Sequence, residues 1–463
     1  MFRFILGLSI LFSCGNIYAD HLPFSKKKHI LKLINSPDKP NRFFWGHLNK
    51  KTQEKQNSEG FPRLKESDFL VEKIHKKKLP SDFSYLAFCE NTIVMTFSPS
   101  EDNDNWVYML YSAKSMQEFI QIFNQSLIED RSLFVSKKTD VIELKDTFGK
   151  EKSAWAMAVN NKSTVVGLSY GKKNYPDFFI WKPNSGMLKI ELPKEVLIAV
   201  PDSLNDKDEV VGYCLLEEKD LFLAAFHWTA KSGMTFLTKH KLAVNHFKDY
   251  CDTFNSLLES IKINNQGTVV GHYWDSSMHR TTLFLWDNKK MVTTDLVNDP
   301  IKTDQALVDF NQSGDVLFRD LNLGEETNFC IWSPEHGVRS VEMPPLKEIL
   351  SEELESNNIH PSSHLDDFDE DFDLSCFGFN DRREILFSAD YYNFHTNEYC
   401  SQDFLNKPGS PVILLPKKYG KKLNKLLFVF PFAYDNNGRL FLLGKEDFYG
   451  PVSLFLASPK KGN

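Results

Sequence analysis

Several familiar signatures are missing from these 463 residues. No Cys-x-x-Cys pair, no His-Glu-x-x-His and no phosphate-cradling glycine loop occurs, which removes the compact motifs of structural zinc, zinc peptidases and nucleotide binding. Seven cysteines are too few for a disulfide-dense scaffold. Beyond the first nineteen residues, no apolar run reaches the roughly 20 residues that a membrane-crossing helix needs. Charged residues make up 25% of the chain against 41% hydrophobic, which excludes global disorder.

What is present begins with a leader-like segment. Met1 to Ala19 places Arg3 before an apolar stretch and ends in small residues, the layout of a secretory signal peptide cleaved after Ala19. A rival reading takes Leu11 to Cys14 as a lipoprotein signal that leaves Cys14 as a lipid-bearing first residue. Either way the expected location is extracytoplasmic: periplasmic, cell-surface or secreted. Residues 20–64 then form a basic arm. From 20 to 80 there are 15 Lys or Arg against 7 Asp or Glu, while the whole chain carries −7. Such an arm can make peripheral contact with an anionic membrane, although basic runs are more often only solvated. No nucleic acid is expected as a partner.

From residue 65 to 463 the sequence repeats itself. A turn anchored at Asn160, Asn205, Asn264, Asn311, Asn380 and Asp435 lies between two apolar segments, as in Val165-Val166-Gly167 or Val269-Val270-Gly271. After the first four anchors, at near-constant spacing, an apolar run closes on Trp181, Trp228, Trp286 or Trp332, and Met187, Met234, Met291 or Val338 follows at a second turn. Each unit thus predicts two hairpins, with Asn and Gly marking turns that need positive φ. The apolar positions are successive and not alternating, so both faces of each sheet require cover. Four strands per unit, a period near 45 residues and no polar caps predict an all-β fold. The expected form is a β-propeller of seven four-stranded blades, with six as the runner-up. A degenerate first unit starts at Tyr85. The last unit is one strand short, and a strand within Ser67 to Lys76 is the candidate to complete it. Short helical insertions are expected at Met116 to Asp130 and after Pro344.

These residues, Asn-Asn-x-Gly, Val-Val-Gly, the aromatic run ending in Trp and then Gly-Met, resemble the HAF family of extracellular repeat proteins, most closely from Ala154 to Pro344. The resemblance implies export and a repetitive β architecture, and no established activity. The later units depart from it, with Phe318, Phe387 and Leu442 where glycine is expected and Leu456 in place of tryptophan.

Candidate chemistry is sparse. Gly167 to Gly171 fits Gly-x-Ser-x-Gly formally, but Ser169 falls inside a predicted strand where a nucleophile elbow needs a strand-to-helix turn. The acidic run from Asp366 to Asp373 and the segment from Glu101 to Asn105 lack the glycine and closing glutamate of a calcium loop. His240 with His246, and His360 with His364, lack a zinc-peptidase context. No catalytic, cofactor-binding or metal residue is therefore assigned, and no cofactor. Cys376 and Cys400 share a repeat and form the first disulfide pair to test, against buried free thiols. The tryptophans read as packing between units, whereas Tyr273, Trp274, Tyr391 and Tyr392 read as exposed aromatics open to a partner. The leading expectation is a monomeric, exported, non-catalytic binding or scaffold module for protein or glycan. An alternative is a glycan hydrolase or lyase working at the channel mouth, which requires converging carboxylates or a histidine with a carboxylate. A third is a surface protein anchored through Cys14.

Overall fold

The computed structural model describes residues 62–73, 83–89, 92–97, 132–137, 140–144, 153–170, 177–241, 261–275, 280–287, 292–295, 305–320, 329–344, 346, 349–350, 372–393, 398–416, 423, 426, 428–445 and 452–460. The leader, most of the basic arm, Met116 to Asp130, the acidic run up to Asp371, and His246, His360 and His364 lie outside them. The described chain is all-β, and its strands pair antiparallel in seven separate sheets.

Sheet 1 joins Phe83–Cys89, Thr92–Phe97, Ser132–Lys137 and Asp140–Leu144, and sheet 2 joins Ser153–Val159, Val165–Tyr170, Asp177–Lys182 and Gly186–Lys189. Sheet 3 follows with Val196–Leu204, Val210–Glu217, Leu221–Thr229 and Gly233–Phe236, plus the two-residue strand His240–Lys241. Sheet 4 contains Ile261–Ile263, Val269–Asp275, Arg280–Asp287 and Val292–Asp295; sheet 5 contains Gln305–Phe310, Val316–Asp320, Phe329–Ser333 and Gly337–Ser340. Sheet 6 is Phe372–Phe379, Ile385–Asn393, Glu398–Asn406 and Ile413–Leu414. In sheet 7 the chain supplies Phe428–Tyr434, Leu440–Lys445 and Val452–Pro459, and the fourth strand comes from the N-terminal side. Phe69–Lys73 pairs from Phe69 opposite Pro459 to Lys73 opposite Phe455. That strand lies within the segment expected to complete the last unit.

First strands touch first strands from each sheet to the next, so the seven sheets form a continuous series with a common inner wall. The core is the set of layers between sheets. One layer combines Val166, Phe178 and Ile180 of sheet 2 with Leu204, Cys214, Phe226 and Trp228 of sheet 3. The next joins Leu386 and Leu405 of sheet 6 to Leu440, Leu442 and Ala457 of sheet 7, with Phe69 at its edge. Val165, Val166, Val210, Val211, Val269 and Val270 are wholly buried, as successive apolar positions require when both faces are covered. Trp181, Trp228 and Trp286 are buried too. Phe178 meets Trp228 edge-on with ring centroids 6.3 Å apart, and His227 lies 4.9 Å from Trp286, so the tryptophans pack one sheet on another. After Pro344, Leu346, Ile349 and Leu350 are helical and pack on sheets 5 and 6.

The anchored turns have a different chemistry from the one their asparagines suggest. Positive φ falls three residues past each anchor, at Ser163, Asp208, Gly267, Gly314, Arg383 and Gly438. The anchor itself accepts the N–H of that residue on its carbonyl and donates its own N–H to the carbonyl one further on, as in Ser163 to Asn160 at 2.9 Å and Asn160 to Thr164 at 3.1 Å. This is a three-residue hairpin with a bulge, in which a left-handed residue is obligatory. The asparagine is required for its side chain. Asn205 Oδ1 accepts N–H groups from Lys207 at 2.9 Å and Glu209 at 3.0 Å, while its Nδ2 donates across to Asn264 O at 3.1 Å.

The same cross-sheet donation runs from Asn160 to Asn205 O at 2.9 Å, from Asn311 to Asn380 O at 3.1 Å and from Asn380 to Asp435 O at 3.3 Å. A second row lies beside it. The backbone N–H groups of Asn161, Asp206, Asn265, Gln312 and Asp381 donate to side-chain oxygens of Asp206, Asn265, Gln312, Asp381 and Asn436, at 2.7 to 2.9 Å. Sheets 2 to 7 are thereby stitched turn to turn.

One stitch is dropped. Asn264 Nδ2 is buried and meets no hydrogen-bond partner among the described residues. Elsewhere the second amide proton goes to a carboxylate four residues on, Glu209 at 2.6 Å, Asp315 at 3.1 Å or Glu384 at 2.8 Å, or to Asp208 Oδ1 of the next turn at 2.9 Å. Beyond Asn264 these places hold Thr268 and Gly314, neither of which carries a carboxylate. Thr268→Glu is therefore expected to add about 1 kcal/mol of stability, read as a raised urea midpoint at unchanged slope.

The glycines of the second strands are spatial requirements. A Cβ on Gly212 would lie 2.0 Å from Val200 O and 2.9 Å from the Phe226 ring. In sheet 5 the cross-strand pair is inverted, with Phe318 opposite Cys330, so the bulk moves from the third strand to the second. Gly212→Ala should cost roughly 3 kcal/mol or more. Gly314→Ala, where a Cβ meets nothing within 4 Å and only φ of +90° is unfavourable, should cost about 1 kcal/mol. Denaturant unfolding of both variants reads the difference.

Candidate functional site

The inner wall concentrates the ionisable groups that the sequence disperses. Three neighbouring first strands carry Asp202 (sheet 3), Lys262 (sheet 4) and Asp309 (sheet 5). Asp202 is the extra residue of a bulge between Pro201 and Ser203, which frees its side chain from the regular pleat. Its Oδ2 accepts the N–H of Ile261 at 2.8 Å and stands 3.7 Å from Lys262 Nζ. Asp309 receives the N–H of its neighbour Phe310 on Oδ1 at 2.8 Å, and that of Phe379 in sheet 6 on Oδ2 at 3.2 Å.

The electrostatics of the three groups differ. The Asp202 carboxylate, helped by Asp309, raises the Lys262 pKa above its ordinary value against the cost of burial, so the ammonium stays protonated. Burial raises the Asp309 carboxyl pKa, opposed by Lys262 and by the two backbone N–H groups. Two carboxyl groups thus act on one cation, and burial raises the pKa of one of them, Asp309. Lys262 keeps 30% side-chain exposure and Asp202 16%, so solvent reaches the cluster.

Bridging between sheets does not demand charge here. Ser203, one residue after Asp202, accepts the N–H of Ile263 on its hydroxyl at 3.2 Å. At the repeat positions equivalent to Lys262 and Asp309, two residues before the anchor, stand Ala158, Ser203, Gly378 and Ala433. On the outer side of the same wall Tyr213 links sheets 3 and 4, donating its hydroxyl hydrogen to His272 O and accepting the His272 N–H at 3.1 Å.

The groups singled out by motif fare differently. Ser169 lies within the strand Val165–Tyr170, buried, opposite Asp177; no strand-to-helix elbow exists there. His240 sits on the short edge strand of sheet 3. Tyr391, expected to be exposed, is 1% exposed, because its strand is central in sheet 6. Nothing is described of the side chains of Tyr273, Trp274 and Tyr392. Cys376 is not in a disulfide, nor are Cys214 and Cys330. Cys376 lies on the first strand of sheet 6 and Cys400 on the third, with Ile385–Asn393 between them, so the Cys376–Cys400 disulfide does not form: two strand spacings of about 4.8 Å exceed the reach of the bond. Among the described residues no group of three His, Cys, Asp or Glu is arranged to hold a metal ion.

No protein-family model matches the chain, and no curated protein is detectably similar to it in sequence. Solved structures similar to it include a prolyl endopeptidase, at TM-score 0.47 and 9% identity over 78% of this chain and 46% of that one. Another is the β-propeller domain of the Trilobed protease from Pyrococcus furiosus, described as having an open velcro topology, at 0.45 and 8% over 84% and 97%. A third is an oligogalacturonate lyase from Vibrio parahaemolyticus, at 0.43 and 11% over 86% and 93%. This chain spans less than half the length of the prolyl endopeptidase. The expectation of a non-catalytic binding or scaffold module is corrected: the inner wall holds two carboxyl groups, Asp202 and Asp309, that act on the same Lys262 ammonium.

A second titratable group bears on stability. His227 is buried against Trp286, and its Nε2 meets no hydrogen-bond partner among the described residues. Burial lowers its pKa, with Glu209 pulling the other way. The unfolded chain then binds a proton that the folded one does not, so stability is intact above the unfolded histidine pKa of about 6.5. It falls as pH drops from there to the lowered folded value, by at most about 1.4 kcal/mol per pH unit. Urea unfolding at pH 7.5, 6.5 and 5.5 should show that loss in the wild type and a flatter profile in His227→Phe.

Proposed function

We propose that the chain is an exported, closed, seven-bladed β-propeller enzyme that cleaves glycan chains by acid–base chemistry on its inner wall. The observation that carries this reading is the pair of carboxylates, Asp202 and Asp309, flanking Lys262 on adjacent first strands, in places where uncharged residues serve the other repeats. Two carboxyl groups in unlike environments are the working parts of glycoside hydrolysis. Asp309, held towards its protonated form by burial, gives its proton to the departing glycosidic oxygen as the bond to the anomeric carbon breaks. Asp202, ion-paired with Lys262, supports the positive charge that develops on the sugar ring and takes the proton of the water that adds. Completion of sheet 7 by Phe69–Lys73 supports closure of the ring, since it ties both ends of the repeat region into one sheet. The Asn-anchored turn and the leader-like first nineteen residues support kinship with the HAF repeats and export.

The test is release of reducing ends from a panel of neutral and acidic polysaccharides by the purified chain. Asp309→Asn is expected to lower the rate by about 100-fold or more, with melting temperature and circular dichroism preserved. The wild-type rate should decline as pH rises through the elevated Asp309 pKa. A wild-type chain that releases no ends from any polymer, or Asp309→Asn and Asp202→Asn variants as active as the wild type, would remove the reading.

A further inference from the structure

The two carboxyl groups of the inner wall lean in the same sense, each towards the sheet that follows its own. Asp202 leaves the first strand of sheet 3, and its Oδ2 accepts the Ile261 N–H of sheet 4 at 2.8 Å. Asp309 leaves the first strand of sheet 5, and its Oδ2 accepts the Phe379 N–H of sheet 6 at 3.2 Å. One carboxyl therefore rests on sheet 4 and the other on sheet 6, with the first strand of sheet 5 between those two backbones. Depth along the wall hardly separates them. Asp202 precedes its anchor Asn205 by three residues and Asp309 precedes Asn311 by two, a difference of about 3.3 Å of strand. Their separation is lateral.

The cation between them reports the same spacing. Lys262 Nζ lies 3.7 Å from Asp202 Oδ2, whereas Asp309 acts on it as a more distant charge, outside ion-pair contact. Asp309 is also fixed where it stands. Its two oxygens hold the N–H groups of Phe310 at 2.8 Å and Phe379 at 3.2 Å, so the carboxyl cannot swing back towards Asp202 without giving up its bond to sheet 6. The two known courses of glycoside cleavage set different demands on such a pair. A carboxylate that attacks the anomeric carbon itself sits about 5–5.5 Å from the acid, while one that works through a water stands about 6.5–9.5 Å away. Groups seated on sheets 4 and 6, and both still felt by one ammonium, belong to the second class.

We infer that cleavage at this wall is a single displacement that inverts the anomeric carbon, with Asp202 acting through a water and no glycosyl–enzyme bond. The water oxygen bonds to the anomeric carbon from the face opposite the glycosidic oxygen and yields one proton to Asp202. The bond to the glycosidic oxygen breaks with its electron pair, and that oxygen takes the Asp309 proton. Solvent then returns a proton to Asp309 and removes the one on Asp202. The inference rests on the glycan-cleaving reading and concerns only the course of that reaction.

Proton NMR of the wild-type chain acting on laminarin, soluble starch and polygalacturonate tests it, because the first reducing ends are seen before mutarotation mixes them. A β-linked polymer should yield α ends, and an α-linked polymer β ends. A second measurement needs no polymer: incubation with 2-deoxy-2-fluoro glycosyl fluorides should add no mass to the intact protein. Ends of retained configuration, or a fluorosugar adduct on Asp202, would overturn inversion and leave glycan cleavage standing. Unsaturated sugars at the new chain ends, formed by elimination without water, would overturn it as well. No release of ends from any polymer would remove the cleavage reading and this inference with it.

Discussion

The structure depends on one side-chain amide used in two directions. Each anchor asparagine turns its Oδ1 inward to accept backbone N–H groups of its own hairpin, and Asn160, Asn205, Asn311 and Asn380 turn Nδ2 outward to a carbonyl of the next sheet. Aspartate can do only the first, and serine or threonine is too short to do both. A buried amide left without partners costs on the order of 1–3 kcal/mol, so the turn is stable chiefly when the neighbouring turn sits in register beside it. Local conformation and sheet-to-sheet geometry are thus fixed by the same atom group. The repeat spacing can vary widely along the chain because the register is set at the turns and not by the length of the loops.

Packing and hydrogen bonding divide the work between turns and strands. Valine pairs such as Val210 and Val211 are buried on both faces, and they tolerate it because the neighbouring sheets are themselves apolar. Burial of that kind is non-directional, and it would accept a sheet slipped along its neighbour. The turn bonds are directional and would not. Beside the amide ladder, Arg383 pairs with Asp315, and Glu384 takes the Arg382 guanidinium and the Tyr434 hydroxyl.

Much of this was legible in the sequence and some of it was misread. The strands, the two hairpins per unit and the N-terminal strand that completes the last sheet follow from spacing alone, because period, turn and apolar run repeat together. The asparagines were legible as turn residues but not as donors to a neighbour. Sequence spacing registers a turn, and only the stacking of turns gives the Nδ2 its target. The left-handed residue three places on was hidden by its variety, since Ser, Asp, Arg and Gly all occupy it. Tyr391 read as exposed because it was placed between strands, yet a central strand buries it. The inner-wall cluster left no trace at all. Asp202, Lys262 and Asp309 occur in three different repeats, each in an unremarkable local context, and they meet only because successive first strands lie side by side.

That meeting has an energetic consequence. Withdrawing a carboxylate from water without full compensation is costly, and the upward displacement of the Asp309 pKa expresses that cost. Had inter-sheet bridging been the sole demand, the hydroxyl of Ser203 shows that an uncharged acceptor meets it, and Ala158 and Ala433 show that the position can lack an acceptor altogether. An ionisable group retained at such a place works against folding stability. Its neighbour Lys262, on which Asp202 and Asp309 both act, offsets part of that cost. Neutralising Asp309 removes both an opposing charge from Lys262 and a buried anion, two effects of opposite sign on stability. The fold can therefore carry Asp309→Asn with little net change, which separates whatever chemistry the wall performs from the scaffold that holds it.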